Sequence, residues 1–501
     1  MKRALIAAAL LLAASGTTGA AQERASTLAT LPKLSTVDER YQGYNVEMVE
    51  VTGGRFWAPY GGAKGEIYAM RPPVNLADKR LRNLARHLAP AYMRVSGTWA
   101  NSSYLPAEGE QITAAPTGFK QILTRDQWRG VIAFAKAANA RLVTSFAASD
   151  GTRGPDGVWK AEQAQRLIDL TRESGGTIYA AEFFNEPNVP THGGLPKGYG
   201  VTEYNRDFRI FHAWARIHAP TMKILGHGGV SEGSMMKLSA QTIARGFLNS
   251  EDFMKGNPGN LDAVTYHFYG SISERCGGSP IGARDKALSA EWLDRTLLDQ
   301  AHYAALRDTY EPGKPLWLNE TAQAGCGGSR WAATFLDSFR YLNQLGLLAQ
   351  KGVQAVMHNT LAASEYGLID FKTMAPRPNY WAAVLWAKTM GATVLASPLS
   401  PPRDVRLYAH CLKGARGGVG LLAINTGSTA QTITTSKAAA AWVMSGPLDG
   451  GGFVINGRAP SITADGRLVG LEGRAAPNKL LLPAQSIAFI AAKDARNTYC
   501  Q

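Results

Sequence analysis

The chain is poor in cysteine and in clustered basic residues. Only 4 of its 501 residues are cysteine, and no C-x-x-C spacing occurs, which disfavours a zinc ribbon or a thioredoxin-type motif. Lysine and arginine outnumber the acidic residues by 53 to 39, but they are scattered, without a run of five. Apolar residues make up 45% of the chain, which is enough for a large core and excludes a disordered protein.

The chain begins like a secretory signal peptide. A basic pair is followed by an apolar stretch at residues 4–14 and then by small residues, so cleavage is expected after Ala20 or Ala21. The stretch is too short for a membrane span, and no cysteine follows it to carry a lipid anchor. We therefore expect residues 1–21 to direct export to the periplasm or the medium, where disulfides persist.

Most of the chain alternates between strand-like and helix-like segments. Short apolar runs fall at residues 44–50, 91–95, 141–146, 178–184, 222–226, 262–267, 315–320 and 353–358. Helical periodicity marks residues 75–88, 126–139, 160–173, 204–218, 288–308 and 331–348. Eight strands alternating with helices predict an α/β fold, a parallel (β/α)8 barrel of the TIM type, over residues 41–390.

The sequence changes character after residue 390. Helical periodicity fades, and strand-like runs separated by Gly and Asp turns fall at residues 405–411, 419–425, 432–435, 442–444 and 486–491. This pattern predicts a smaller C-terminal all-β domain, a β-sandwich. Residues 22–40 have no clear element of their own, and we assign them to the same domain as residues 391–501.

Two glutamates stand where apolar runs end. Glu186 follows the fourth run in the sequence Asn-Glu-Pro-Asn, and Glu320 closes the seventh in Leu-Asn-Glu-Thr. Active sites of such barrels lie at the C-terminal ends of the strands, and a carboxylate placed there costs desolvation energy unless it has a partner or a task. Two carboxylates at one barrel mouth are what glycoside hydrolysis requires, so we predict that this pair is catalytic.

A series of short motifs extends this prediction. They are Leu-Ala-Pro-Ala-Tyr-Met-Arg-Val-Ser-Gly-Thr at 88–98, Asn-Glu-Pro-Asn at 185–188, Ala-Val-Thr-Tyr-His-Phe-Tyr at 263–269, Trp-Leu-Asn-Glu-Thr at 317–321, Gly-Gly at 327–328, Tyr-Ala-His-Cys at 408–411 and Tyr-Cys at 499–500. In this order the motifs resemble the heparanase family, family 79 of the glycoside hydrolases, from about residue 41 to the C-terminus.

The resemblance implies a retaining β-glucuronidase. Glu186 would be the proton donor and then the general base, and Glu320 would be the nucleophile that forms a glycosyl-enzyme intermediate. Asn185 would donate a hydrogen bond to the sugar 2-hydroxyl, and Tyr266 would hydrogen-bond Glu320 and orient it. The resemblance implies no cofactor.

The resemblance also implies a site for the uronic acid carboxylate. Tyr366 and the backbone of a glycine-rich loop, matched here by Gly327, would bind this carboxylate. The sequence departs from the family pattern at Cys326, where we expect glycine, although a backbone N–H survives the change. Glu47 occupies a position that contacts sugar hydroxyls, and Thr98 would contact the same sugar.

The cysteines alone allow three pairings. With the resemblance, Cys411 and Cys500 match a family disulfide that ties the chain end into the β domain, which leaves Cys276 to pair with Cys326. That second disulfide would join the loops after strands six and seven at the active face. It would lower the entropy of the unfolded chain and so stabilise the folded state by an amount on the order of a few kcal/mol.

Alternatives remain open at the level of sequence. Gly229–Gly233 matches G-x-S-x-G, and an esterase would use Ser231 with His358, although two residues separate the preceding strand from the motif. A non-catalytic binder of anionic polysaccharide would also explain the basic charge. No H-E-x-x-H or other close metal pattern is formed by His212, His218, His227, His267 and His358.

We therefore expect a monomeric, exported glycosidase. The favoured activity is endo cleavage of glucuronic acid linkages in heparan sulfate or a related anionic polysaccharide, because the basic excess suits such a substrate. The alternative is an exo-β-glucuronidase that releases terminal glucuronic acid. No nucleic acid partner and no membrane anchor are expected, since the chain has no recognisable nucleic-acid-binding module.

Overall fold

The structure is a computed structural model that describes residues 27–61, 66–191, 193–236, 245–397, 401–434, 440–476 and 479–501. The predicted signal peptide, residues 1–21, lies outside the described residues. Within the described part of the chain, no helix combines the length and the apolar character needed to cross a membrane.

Eight parallel strands close into a barrel, so the predicted fold class is confirmed. In chain order, the strands are Gln42–Glu47, Ala91–Ser96, Ala140–Ser145, Ile178–Glu182, Lys223–Val230, Ala263–Tyr269, Leu316–Ala322 and Ala355–His358. We number them barrel strands 1 to 8. Each pairs with its neighbours in sequence, and strand 8 pairs with strand 1.

The observed strands differ from the predicted runs mainly at their ends. The first predicted run extends to residue 50, but strand 1 ends at Glu47 and a short helix, Met48–Thr52, follows directly. This helix starts there because the Glu50 carboxylate accepts the backbone N–H of Glu47 over 2.7 Å in a capping box. Strand 5 runs past its predicted end to Val230, with a register shift between His227 and Gly229.

The helices surround the barrel. In the described residues, the α-helices are Met48–Thr52, Lys79–Arg86, Arg125–Ala137, Glu162–Glu173, Val201–His218, Ser250–Gly256, Ala290–Leu293, Thr296–Tyr310, Phe335–Gln350 and Pro378–Thr389. The helix predicted over residues 288–308 is thus divided in two. A separate hairpin, Gly54–Trp57 paired with Tyr68–Arg71, follows the first helix.

The C-terminal part of the chain is all-β, as predicted. Its main sheet is antiparallel and contains, in spatial order, Lys33–Thr36, Met390–Leu395, Val405–Leu412, Val419–Asn425, Ser486–Ala492, Ala440–Ser445 and Val454–Ile455. A strand from the N-terminal segment therefore forms one edge of this sheet. The strand at Met390–Leu395 begins where the last barrel helix ends and was not predicted.

Both faces of this sheet are covered. On one face, Leu421 and Ile490 share a core with Ile433 and Leu482 from a small sheet, Gln431–Thr434 paired with Lys479–Leu482. On the other face, Tyr408, Leu422 and Phe489 belong to the main core, together with Phe339 and Leu342 of the barrel helices. The β part is therefore packed firmly against the outside of the barrel.

Two disulfides are present, with the predicted pairing. Cys411 and Cys500 join the chain end to the main sheet, with their Cα atoms 5.2 Å apart. Cys276 and Cys326 join the loops that follow strands 6 and 7, with their Cα atoms 6.4 Å apart.

Candidate active site

The C-terminal ends of the barrel strands open into a cleft of about 610 Å3. Of the predicted site residues, Glu47, Thr98, Glu186, Glu320 and Tyr366 line this cleft. They come from strands 1 and 7 and from the loops after strands 2, 4 and 8, so the closure of the barrel brings together residues far apart in sequence.

The two predicted catalytic carboxylates face each other across His267. One carboxylate oxygen of Glu186, one of Glu320 and one ring nitrogen of His267 all lie within 4.8 Å of one another. His267 donates from Nδ1 to Oε1 of Glu186 over 2.9 Å. Glu186 has a φ of 51°, which non-glycine residues rarely adopt, so the turn after strand 4 holds the backbone of this residue in a strained conformation.

A buried arginine links the nucleophile candidate to strand 4. Arg94, only 1% exposed, donates from Nη1 to Glu320 over 2.7 Å and from Nη2 to Glu182 over 2.8 Å. The same Nη2 donates to Oδ1 of Asn185 over 2.8 Å. Glu182 also accepts from Thr265. Sequence reasoning singled out neither Arg94 nor Glu182, although strand alternation places both on the barrel interior, two residues beyond Tyr92 and Ala180.

The environment keeps Glu320 ionised. Burial by itself raises the pKa of this carboxyl, but His267 and Arg94 outweigh it and hold the pKa below its ordinary value. Burial lowers the pKa of His267, but the carboxylates of Glu320 and Glu186 together more than offset this, so the pKa of His267 is raised. Glu320 therefore carries the negative charge that a nucleophile needs, although its side chain is buried.

The tyrosine that contacts Glu320 is not the one expected. Tyr266 is fully buried behind the barrel, where its ring stacks on Tyr303 at 4.9 Å, and its hydroxyl has no hydrogen-bond partner among the described residues. Instead, Tyr269 donates to Oε1 of Glu320 over 2.6 Å. The expectation for Tyr266 is wrong because side chains alternate along strand 6, and residues 265, 267 and 269 face the site.

Glu47 lies at the end of strand 1 beside this pair. Its Oε1 accepts from Nδ2 of Asn359 over 3.0 Å, and the same amide group donates to the hydroxyl of Tyr269 over 2.9 Å. Burial, with the nearby charge of Glu320, raises the pKa of Glu47 well above its ordinary value. Gly97 is required opposite, because a Cβ there would collide with Oε2 of Glu47.

Asn185 is held on both sides. Its backbone N–H donates to Oδ1 of Asn101 over 2.8 Å, and its carbonyl oxygen accepts from Nδ2 of Asn101 over 2.9 Å. Since Arg94 occupies the side-chain carbonyl oxygen of Asn185, the side-chain amide group is oriented with its N–H donors away from the arginine.

The loop after strand 7 is held against Tyr366. Arg275 donates from Nη1 to the carbonyl oxygens of Cys326 and Gly328, over 3.1 and 2.8 Å. Cys326 and Gly327 both have positive φ, and a Cβ at Gly327 would lie 2.8 Å from the side chain of Trp57, so this position needs glycine. The N–H groups of Gly325 and Ser329 already donate to Ser271 and Gln323, whereas those of Cys326 and Gly327 donate to no other described residue and are left for a ligand.

The chain is similar in sequence to known glycosidases. No protein-family model matches the chain. It is 28% identical to mouse (Mus musculus) heparanase over 390 residues, which cover 67% of this chain and 68% of the relative. It is 22% identical to the hyaluronoglucuronidase of Hirudo nipponia over 479 residues, covering 85% and 92%. The resemblance to the heparanase family is confirmed.

Solved structures agree on the fold. The α-L-arabinofuranosidase of Thermotoga petrophila aligns with a TM-score of 0.63 at 13% identity, covering 93% of this chain and 98% of that one. The prediction that the heparanase-like chain is a glycoside hydrolase is also confirmed, through its heparanase relatives.

The esterase alternative does not fit this heparanase-like site. Ser231 is fully buried, and its Oγ accepts the backbone N–H of Tyr269 over 3.2 Å. His358, its expected partner, bonds instead to the carbonyl oxygen of Tyr366 over 2.7 Å. Burial lowers the pKa of His358 to about 3, so this residue is a neutral support for the Tyr366 segment.

Glu186, His267 and Glu320 are also spaced as three ligands of a metal ion would be. In this site, however, their ligand atoms are engaged with one another and with Arg94, which donates to Glu320 and lies close to His267. One of the three candidate ligands, Glu320, is thus already paired with a cation of the protein.

Proposed function

We propose that the protein is a retaining, endo-acting β-glucuronidase that hydrolyses glucuronic acid linkages within heparan sulfate-type polysaccharides. The observation that carries this proposal is that one carboxylate oxygen of Glu186 lies within 4.8 Å of one carboxylate oxygen of Glu320. Retaining glycosidases need carboxyl groups about 5–5.5 Å apart, whereas inverting enzymes need about 6.5–9.5 Å to admit a water. The short spacing therefore supports attack by Glu320 itself.

In the first step, Glu320 attacks the anomeric carbon while Glu186 donates a proton to the leaving oxygen. Arg94 and Tyr269 hold the Glu320 carboxylate ionised and oriented for this attack. A glycosyl-enzyme ester forms, and the polysaccharide chain on the leaving side departs with the proton of Glu186.

In the second step, Glu186 acts as a base. Once Glu320 is esterified its charge is gone, so Glu186 can accept a proton, and its hydrogen bond with Nδ1 of His267 holds it in place. Glu186 then takes a proton from the water that attacks the anomeric carbon, and Glu320 leaves as a carboxylate. The anomeric configuration is retained because two displacements occur on opposite faces.

The neighbouring residues would bind the glucuronic acid ring. We assign the Nδ2 donors of Asn185 to the sugar 2-hydroxyl, and the hydroxyl of Tyr366 to the uronic carboxylate together with the N–H groups at Cys326 and Gly327. These assignments are supported by the bound orientation of Asn185 and by the clamped carbonyl oxygens of the loop.

Glu47 and Thr98 would complete the ring site. A Glu47 carboxyl that holds its proton can donate to a sugar hydroxyl as well as accept from Asn359. Thr98 lines the same cleft from the loop after strand 2. The names of the relatives, heparanase and hyaluronoglucuronidase, support a substrate that contains glucuronic acid.

We also propose that the protein acts outside the cytoplasm, in the periplasm or the medium, as a monomer. Two disulfides support an oxidising compartment. Fractionation of the producing cells and sedimentation of the purified protein would test both statements; a reduced cytoplasmic protein or a stable dimer would contradict them.

Product analysis tests the activity. Heparan sulfate and an aryl β-glucuronide are incubated with the wild type, with Glu320→Gln, and with Glu162→Gln as a control at an exposed carboxylate on the barrel surface. Endo cleavage predicts rapid shortening of the polysaccharide that is lost only in Glu320→Gln. NMR of the first sugar released from the aryl substrate should show the β anomer.

Other outcomes would change the proposal. Release of single glucuronic acid without early shortening of the chain would favour the exo alternative. Binding without turnover by the wild type would favour a polysaccharide-binding protein, and a first product with the α anomer would refute retention.

A further inference from the structure

One wall of the cleft is apolar. Val189, Val230, Met235, Met236 and Phe247 all line it, and they belong to one hydrophobic cluster with Tyr269 and Tyr366. The three larger side chains of this wall, Met235, Met236 and Phe247, are half-buried, so each presents part of its surface to whatever occupies the cleft.

This wall is attached to the proposed proton donor. The backbone N–H of Val189 donates to the carbonyl oxygen of Glu186 over 3.0 Å, which closes the turn that carries the carboxyl. The N–H of Leu248, next to Phe247, donates to the carbonyl oxygen of Asn188 over 2.9 Å. Since Glu186 protonates the leaving oxygen, the group that leaves must lie on the side of the cleft that this wall forms.

The part of the cleft that the structure describes carries little positive charge. Of the residues that the structure describes along the cleft, Lys120 is the only cation, beside the carboxylates of Glu47, Glu186 and Glu320. Most of the 53 lysines and arginines of the chain are not among the residues that the structure describes along this cleft. A sulfate placed against methionine and phenylalanine would lose its hydration without gaining an ionic partner.

We propose that the leaving-group side of the cleft binds an uncharged ring with an apolar face, and that it discriminates against sulfate on that ring. The ring would come either from an unsulfated sugar of the polysaccharide or from the aryl group of a small glucuronide. Methionine suits this task because its flexible, polarisable side chain adapts to rings of different shape. The proposal rests on the proposed β-glucuronidase activity and narrows it to linkages followed by an unsulfated unit.

Three β-glucuronides test the proposal. They are an unsulfated oligosaccharide of alternating glucuronic acid and N-acetylglucosamine, the same oligosaccharide with N- and 6-O-sulfated glucosamine, and an aryl β-glucuronide. We expect kcat/KM on the sulfated oligosaccharide to be at least about tenfold below that on its unsulfated counterpart. The cost of desolvating a sulfate without an ionic partner exceeds the binding energy that its contacts with the wall provide. Comparing the aryl compound with the unsulfated oligosaccharide tells which source of the ring is used.

A charge placed in the wall provides the second measurement. Met236→Lys should raise kcat/KM on the sulfated oligosaccharide relative to the unsulfated one by about fivefold or more. Ile217→Lys is the matched control, because Ile217 is 73% exposed on the helix Val201–His218 and is not among the residues that line the cleft. If Met236→Lys does not fold, as judged by its thermal transition, Phe247→Ala should lower kcat/KM on the aryl glucuronide and on the unsulfated oligosaccharide.

The outcomes separate the two proposals. Equal or faster cleavage of the sulfated oligosaccharide would overturn the inference while leaving the β-glucuronidase intact. An unchanged substrate ratio in folded Met236→Lys would also overturn it. Failure to hydrolyse any of the three, or turnover that survives Glu320→Gln, would instead overturn the proposed function.

Discussion

Replacing Tyr269 with phenylalanine removes the tyrosine hydroxyl that contacts Glu320, the proposed nucleophile. That hydroxyl donates to Oε1 of Glu320 over 2.6 Å and accepts from Nδ2 of Asn359 over 2.9 Å. The ring itself is buried in the apolar cluster beside the cleft, and phenylalanine fills the same space. We therefore expect the variant to fold, with its effect concentrated on the carboxylate.

The size of the effect follows from the charge of the acceptor. A hydrogen bond to an ionised group contributes about 1.5–3 kcal/mol. Since 1.4 kcal/mol corresponds to a factor of about ten, loss of this bond should reduce kcat/KM by about 10- to 100-fold. The assay is initial-rate hydrolysis of an aryl β-glucuronide across a range of pH.

The pH profile gives a second readout with a defined sign. Glu320 must be ionised to attack, so activity falls as pH drops through its pKa. The hydrogen bond from Tyr269 is one of the interactions that lower this pKa. Tyr269→Phe should therefore raise the pKa and move the acidic limb of the profile towards higher pH.

Tyr266→Phe is the matched control three residues away. Its hydroxyl is buried without a hydrogen-bond partner among the described residues and lies against Tyr303, away from Glu320. This variant should keep kcat/KM within about twofold and leave the acidic limb unmoved, since it removes no bond. Equal losses in both variants, or an unshifted limb in Tyr269→Phe, would refute the assignment.

Three further predictions concern the support of the site. Arg94→Met should lower the free energy of unfolding at neutral pH by about 3–5 kcal/mol, because it leaves two buried carboxylates without their cation; urea denaturation measures this. In the wild type, the pKa values of Glu182 and Glu320 are held low, so the stabilisation from these ion pairs should be lost only as pH falls through those pKa values. Glu47→Gln should retain activity to within a few-fold, because burial and the charge of Glu320 raise the pKa of Glu47 and so favour the neutral carboxyl that glutamine mimics; a loss comparable to that of Glu320→Gln would show that its charge is needed. Serine at both Cys276 and Cys326 should lower the melting temperature in calorimetry, since closure of a 50-residue separation contributes about 4 kcal/mol through the unfolded chain; an unchanged melting temperature would contradict this.

Local pattern was sufficient for the barrel and for the two carboxylates. Each barrel strand contains a short apolar run, and the helices between the strands show a periodicity of about 3.6 residues. Both patterns are local, so they can be recognised without knowledge of any tertiary contact. Because parallel strands end at one mouth, Glu186 and Glu320 could be placed together without knowing a single contact. The disulfides, by contrast, needed the resemblance to the heparanase family, since cysteine spacing alone leaves three pairings.

The partners of those carboxylates were decided by tertiary structure. Side chains of strand 6 point alternately into the barrel and towards the surrounding helices. A shift of one residue in this alternation would bring Tyr266, rather than Tyr269, to Glu320. The sequence contained an indication of the correct tyrosine. His267 is two residues from Tyr269 and one from Tyr266, so a strand that directs His267 into the site also directs Tyr269 there and turns Tyr266 away.

Arg94 shows the same limit more strongly. In sequence it is one basic residue in an apolar run, 88 residues before Glu182 and 226 before Glu320. Composition, periodicity and spacing do not distinguish an arginine without an ionic partner from one that neutralises two buried carboxylates. The sequence by itself thus determined which strands form and which glutamates they carry, whereas the charge state of those glutamates depends on closure of the barrel around Arg94, since only low-dielectric contact makes that interaction strong.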